Sequence, residues 1–167
     1  MLQRAVLQVL SDIYEPRFLD CSYGYRPRRS LRSAVAQIIL QRENGLRWVL
    51  DADIDAFFDQ VDHELLLRFL QNDLPDESLL ALISRWLEAA RAQPCASRGI
   101  AQGSPLSPLL ANVYLHRLDL ALTRRGRRLV RYADDFVVFA RTQPAAQNLQ
   151  SEVAADLAGL LLQLEPQ

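Results

Sequence analysis

Asp134 and Asp135 stand side by side between two apolar runs, Leu129-Val130 before them and Phe136 to Phe139 after. β-Branched and aromatic residues dominate those runs, which predicts a β-hairpin with Ala133-Asp134-Asp135 at or near its turn. An Asp pair at a turn is ordinary by itself, because Asp tolerates turn dihedrals and bonds its own backbone. A second acidic cluster upstream, Trp48 to Asp59, changes its meaning. That stretch opens as a strand, with Trp48, Leu50 and Ala52 on one side and Val49, Asp51 and Asp53 on the other. A buried strand does not normally end in several carboxylates without a cation or partners to hold them. If the strand lies beside the hairpin, Asp53, Asp134 and Asp135 converge into an all-oxygen site suited to Mg²⁺. Two such ions can activate an attacking hydroxyl and stabilise a leaving oxygen in phosphoryl transfer.

Other elements must position these residues. Apolar positions at Leu2, Val6, Val9, Leu10 and Ile13 predict a helix over 2–14, ended before Pro16. Residues 20–29 form a loop in which Tyr23 and Tyr25 flank Arg26, Arg28 and Arg29. Interleaved aromatics and arginines can stack on bases and hold phosphates. Ser30 caps a helix to about Arg42, whose expected buried side is Leu31, Ala34, Val35, Ile38 and Ile39. Asp62 caps a helix including Leu65, Leu66, Phe69 and Leu70, with His63 expected in its exposed first turn. Pro75-Asp76-Glu77 starts another helix, to about Ala92, with Trp86 in the core. Residues 93–103 are polar and turn-rich, and Ser104-Pro105 begins a long helix to about Leu122. Gly103 lets the backbone approach a ligand, and free N–H groups at the helix start favour a phosphate or a base. Asn112 is expected to face the fold and fix loop groups, and His116 to be structural. Residues 143–160 return to a helical pattern, and Leu160 to Leu164 begins to look like a strand.

Composition bounds the class. The chain has 167 residues, half of them hydrophobic, enough for one folded domain with a sizeable core. No apolar run approaches the ~20 residues of a membrane span. The N-terminus lacks signal-peptide organisation, and Cys21 and Cys95 give neither a disulfide framework nor metal spacing, so the cytoplasm is the expected compartment. Net charge is −1, yet the charges are segregated. All basic side chains are Arg, clustered at 26–32 and 124–131, while acids concentrate at 51–64. That pattern suits a basic channel around an acidic metal site, although a solvated surface would also produce it.

Four stretches together resemble a known family. Tyr132-Ala133-Asp134-Asp135 is similar to the Tyr-x-Asp-Asp motif of reverse transcriptases, and Asp53-Ile54-Asp55-Ala56-Phe57-Phe58-Asp59 to their first catalytic motif. Gln102 to Asn112 resembles the template-side motif between them, and Tyr23-Gly24-Tyr25-Arg26-Pro27 the fingers motif of the group II intron-like bacterial branch. The resemblance runs from about residue 8 to the C-terminus. It implies an α+β polymerase palm, a small antiparallel sheet with helices packed on one face, plus partial helical fingers. Residues 1–46 would be the partial fingers and 47–167 the palm, with a fingers-side helical insertion at about 62–100 and no thumb.

The resemblance also assigns roles. Asp53, Asp134 and Asp135 would be catalytic and, with the Ile54 carbonyl, would hold two Mg²⁺, with Mn²⁺ as a substitute. Arg26, Phe58, Gln102 and Gly103 would bind the nucleotide, Phe58 selecting deoxynucleotides. Arg28, Arg29, Ser104, Pro105 and Tyr132 would meet template and primer. Asp55 and Asp59 are expected behind the metal ligands or at the surface. The implied activity is RNA-directed DNA synthesis from dNTPs on an RNA template with a DNA or RNA primer. The implied companions are a maturase domain or, in the CRISPR-associated branch, a spacer integrase. The absence of lysine removes a Lys general acid for the leaving pyrophosphate. A non-catalytic nucleic-acid or protein-binding module and an RNA-templated RNA polymerase are the competing readings, the latter opposed by Phe58.

Overall fold

The computed structural model describes residues 1–89 and 97–165. Three strands, β1 (Trp48–Ala52), β2 (Arg128–Tyr132) and β3 (Asp135–Ala140), form an antiparallel sheet in the order β1-β3-β2. Seven helices surround it among the described residues: α1 (Leu2–Tyr14), α2 (Leu31–Glu43), α3 (Phe57–Gln60), α4 (His63–Asp73), α5 (Glu77–Ala89), α6 (Ser107–Arg124) and α7 (Gln143–Gly159). The expected α+β class stands.

Register follows from hydrophobic alternation. Leu50 pairs with Val138 and Ala52 with Phe136, and Leu129 pairs with Val138 on the other side. These residues share one face, which joins the main core with Leu115, Leu118, Leu122, Leu149, Val153 and Leu157 from α6 and α7. A one-residue slip would turn that set to solvent and bring Asp51 inward. On the opposite face Val130 and Phe139 meet Tyr23 and Ala34, so α2 covers the β2 end of the sheet.

Caps set several helix starts as expected. Ser30 Oγ accepts from Ser33 N at 3.2 Å, Asp62 Oδ1 from Leu65 N at 2.9 Å, and Asp76 Oδ1 from Leu79 N at 3.0 Å. Three expectations are corrected. Helix α2 turns Ala34 inward, with Ile38 partly buried beside it, and leaves Leu31, Val35 and Ile39 61%, 45% and 51% exposed. Ala34 and Ile38 form one ridge of the helix and Leu31, Val35 and Ile39 the next; the ridge led by the small Ala34 sits against the sheet. His63 is buried, because its Nε2 donates to the Gly99 carbonyl at 2.6 Å and ties α4 to the loop before α6. Helix α6 begins at Ser107, not Ser104: the Ser104 side chain accepts from Leu106 N at 3.3 Å and Ser107 Oγ donates to the Ala101 carbonyl at 2.6 Å, shaping a turn ahead of the helix. Trp86 packs partly buried against the core. Cys95 and the part of the polar loop before residue 97 lie outside the described residues.

Candidate active site

Asp53 follows the last residue of β1, and Asp135 is the first of β3. Because Ala52 pairs with Phe136, the next step along both strands sets Asp53 beside Asp135. Tyr132 pairs with Asp135, so the hairpin turn is Ala133-Asp134, with Ala133 at φ 62°. The sequence places all three carboxylates at strand ends, and the sheet brings those ends together.

Asp53 and Asp135 line an open cleft of about 320 Å³, with Asp51, Gln150 and Glu165 on its walls. Asp134 sits at the turn beside it. Burial raises the Asp134 carboxyl above its ordinary value, and the Asp53 charge raises it further. Burial likewise raises Asp135, reinforced by Asp53, Asp134 and Asp51. The carboxylates thus repel one another through low-dielectric surroundings, which a cation relieves. The donor set is all oxygen, the chemistry a hard divalent ion requires. Among the described residues no three acidic, His or Cys side chains are already gathered tightly enough to hold an ion.

The hairpin turn is held from behind by a cluster in which Arg131 and Asp119 join the expected Asn112. Arg131 lies fully buried, on the core-facing side of β2 with Leu129. Its Nε donates to Asp119 Oδ1 at 2.8 Å and its Nη2 to Asp119 Oδ2 at 2.6 Å. Further bonds reach Ser22 Oγ at 2.9 Å, Asn112 Oδ1 at 3.0 Å and the Ala133 carbonyl at 2.8 Å. Burial opposes the guanidinium charge, and Asp119 more than restores it, so its pKa is raised. Asn112 then donates to the Gly24 carbonyl at 2.9 Å, fixing the 20–29 loop as expected. Gly24 is required there: a Cβ would stand 2.4 Å from Ala133 N. The available signal was a charged residue on the core side of a strand and an Asp on the apolar face of α6.

Asp53 is held differently. Its main-chain carbonyl accepts from Glu165 N at 3.0 Å, and Asp55 N donates to the Gln163 carbonyl at 3.1 Å. Ile54, buried, bridges Leu164 antiparallel, so the expected last strand is a single bridge in the described residues. Tyr114 Oη donates to the Leu160 carbonyl at 2.6 Å and steadies the turn that leads into this segment.

The remaining candidates lie on other segments. Phe58 is half-buried and meets Phe57 edge-on at 5.5 Å. Gln102 and Gly103 are exposed, Gly103 at φ 87° with open space where a Cβ would stand. Ser104 Oγ donates to Gln3 Oε1 at 3.2 Å, and Pro105 beside it is half-buried. Tyr132 is half-buried against the α2 cluster. Tyr25 is exposed and lies near enough to Asp134 that this charge, after burial, raises its hydroxyl.

Two arginine groups depart from the expected basic channel. Arg26 is buried, pairing with Glu15 at 2.7 Å and donating to the Leu19 and Ser22 carbonyls at 2.6 and 2.9 Å, so its guanidinium is an internal tie of the loop. Arg29 pairs with Asp20 and stacks on Tyr23 at 5.1 Å, while Arg28 is exposed. Arg125 bonds Asp156 and Glu152, and Arg127 bonds Glu152 at 2.7 Å. The second cluster is therefore largely neutralised by α7 in place of lining an open channel.

The reverse transcriptase (RNA-dependent DNA polymerase) family model matches residues 1–167. The group II intron-encoded protein LtrA of Lactococcus lactis subsp. cremoris is 35% identical over 158 residues, covering 92% of this chain and 25% of LtrA. Protein YkfC of Escherichia coli K12 is 29% identical over 203 residues, covering 96% of this chain and 53% of YkfC. The chain thus spans a quarter to about half of these relatives. Apo telomerase from Candida tropicalis, truncated from its C-terminal domain, superposes with a TM-score of 0.71 at 12% identity, over 98% of this chain and 38% of that one. That likeness is one of fold. No helix among the described residues is long and apolar enough to cross a membrane.

Proposed function

The chain belongs to the reverse transcriptase (RNA-dependent DNA polymerase) family, and on that premise we propose that it forms the catalytic fingers and palm of an RNA-directed DNA polymerase. Residues 1–46 are the partial fingers and 47–167 the palm, with 62–100 a fingers-side insertion. The substrates are dNTPs, an RNA template and a DNA or RNA primer. The observation that carries this reading is the meeting of Asp53 and Asp135 in one cleft beside Asp134, with the Asp134 and Asp135 carboxyls raised by burial and by the Asp53 charge.

Reverse transcriptases generally use divalent metals. Here Asp53, Asp134, Asp135 and the Ile54 carbonyl would hold two Mg²⁺, or Mn²⁺ in their place. When bound, the ions lower the pKa of the primer 3′-hydroxyl and neutralise charge on the triphosphate and departing pyrophosphate. The chain's own part is positioning. The Arg131–Asp119 pair sets the turn that carries Asp134 and Asp135, and the 163–165 segment sets Asp53. Phe58 lies in the segment that follows Asp53, where it can exclude a 2′-hydroxyl. Gln102 and Gly103 offer an amide and an open backbone to nucleotide or template. With Arg26 tied to Glu15, Arg28 is the arginine of that loop exposed for phosphate. Tyr132, Arg29, Ser104 and Pro105 remain the template and primer candidates. The companion would be a maturase domain, in keeping with a similar intron maturase, or a spacer integrase.

The test is primer extension on an RNA template with Mg²⁺ and dNTPs, using the full-length protein beside its Asp134→Ala and Asp135→Ala variants. Synthesis by the parent protein that falls at least 100-fold in each variant is the expected result. Silence in the parent protein, with Mg²⁺ still raising its melting temperature, would convert the reading to a nucleic-acid-binding module.

A further inference from the structure

A small pocket lies among the end of α1, the end of α4 and the middle of α6. It holds about 70 Å³ and shares no lining residue with the carboxylate cleft. Tyr14, Arg17, Asp73, His116 and Arg117 line it, with Val113 as an apolar wall. That is room for roughly two water molecules at ~30 Å³ each, or for one small oxyanion.

Three of the five polar lining residues carry a buried atom that meets no well-aligned hydrogen-bond partner among the described residues: Tyr14 Oη, His116 Nδ1 and Arg117 Nε. Of these only Tyr14 has an alternative, a poorly aligned contact with Asp73. Native proteins leave few such atoms unmatched, and three around one pocket call for a ligand. Tyr14 is 2% exposed, so bulk water does not serve it. Its hydroxyl is raised first by burial and then by the charge of Asp73 and its contact with that carboxylate, so it stays a protonated donor. Asp73 itself pairs with Arg17 at 2.7 Å. Arg117 stacks on Phe69 at 4.6 Å, and among the described residues no carboxylate forms an ion pair with it. Burial lowers His116, leaving it neutral. Two guanidiniums against one carboxylate leave the lining positive.

We propose that this pocket is a binding site for a small oxyanion of the phosphate class, with Arg117 Nε and Tyr14 Oη as donors and His116 Nδ1 as the third polar group. An anion supplies acceptors to both donors and balances Arg117, which a neutral ligand would not. The same chemistry is offered by inorganic phosphate and by the phosphate of a 5′-mononucleotide.

Calorimetric and melting titrations of the full-length protein test this, with inorganic phosphate against chloride at equal ionic strength. A second arm uses a 5′-mononucleotide in EDTA, which silences the carboxylate cleft. The expected result is a saturable rise in melting temperature with at least one phosphate source. Binding should weaken at least 10-fold in Arg117→Met and in Tyr14→Phe, and hold in Arg85→Met, an exposed arginine on α5. Phosphate alone active, or the mononucleotide alone, names the source. Tyr14→Phe removes one oxygen and keeps the ring, so it decides the matter if Arg117→Met does not fold. No gain over chloride from either source, or equal gains in all variants, would overturn the proposal and leave a water-filled pocket.

Discussion

The two backbone segments that present the carboxylates are anchored by opposite means. The hairpin turn carrying Asp134 and Asp135 rests on a sealed ionic cluster, with Arg131 and Asp119 both fully buried. The β1 end carrying Asp53 rests on main-chain bonds to 163–165 and on the apolar Ile54. A buried ion pair costs desolvation and often adds little net stability against an apolar replacement. What it adds here is directional: five bonds aim one guanidinium at α6, the loop at Ser22 and the turn together. A main-chain zipper holds position with less specificity and can shift by small steps. The difference makes the hairpin turn the fixed half and the β1 end the adjustable half of the proposed metal site.

Breaking the fixed half should have the largest effect. Asp119→Ala strands a buried guanidinium and is expected to cost ~3–5 kcal/mol in urea unfolding, the usual range for half a buried pair. Arg131→Met combined with Asp119→Leu should recover most of that stability, because apolar pairs replace such ions well. Primer extension should stay impaired in the double variant, since nothing then grips the Ala133 carbonyl. Full activity there would mean that the cluster serves stability alone. Next in size comes Gly24→Ala. Its Cβ would meet main chain, not a flexible side chain, so ~1–3 kcal/mol of overpacking is expected. A melting curve unchanged from the parent would show that the 20–29 loop can withdraw from the turn.

The carboxylates of both halves were legible in the sequence, and the clamp behind the hairpin turn was not. Asp53, Asp134 and Asp135 announce themselves by interrupting apolar runs, and strand pairing follows from alternation that cannot slip without exposing Leu50 and Val138. The clamp depends on contacts between distant residues. Ser22 meets Arg131 across 109 positions and Gly24 meets Asn112 across 88, and no local pattern encodes such pairs. Arg131 was legible as one of a basic cluster, yet its neighbours Arg125 and Arg127 turn to α7 while it turns inward. Arg26 misleads for the same reason, since only the fold shows Glu15 and two carbonyls waiting for it. The apolar spacing of α2 was equally ambiguous, because two adjacent ridges could each have been the buried one.

Loosening the adjustable half should cost less. Tyr114→Phe deletes the bond to the Leu160 carbonyl, worth about 1 kcal/mol as an ordinary hydrogen bond. The turn before 163–165 then relaxes, and Asp53 loses its anchor without losing its carboxylate. A higher Mg²⁺ requirement with a slightly lowered unfolding midpoint is the expected pattern, read from extension rates against Mg²⁺ concentration. An unaltered Mg²⁺ profile would separate Tyr114 from the site.

The smallest and most discriminating effect is electrostatic. Asp134 and Asp135 have raised carboxyls in the folded chain, against an ordinary value of 3.8. Below 3.8 both states hold the protons, and the shift costs the fold nothing. As pH rises through the interval up to the folded values, the unfolded chain releases protons first, so stability falls. Above that interval the full penalty persists, and a divalent cation should cancel it. Mg²⁺ is therefore expected to raise the melting temperature at pH 7 and to lose that effect at pH 4. Asp134→Asn should raise the metal-free melting temperature at pH 7 and shrink the Mg²⁺ gain. Asp135 is exposed and Asp134 half-buried, so screening keeps the change modest. A Mg²⁺ gain of equal size at both pH values would place the cation elsewhere on the molecule and separate the carboxylates from metal binding.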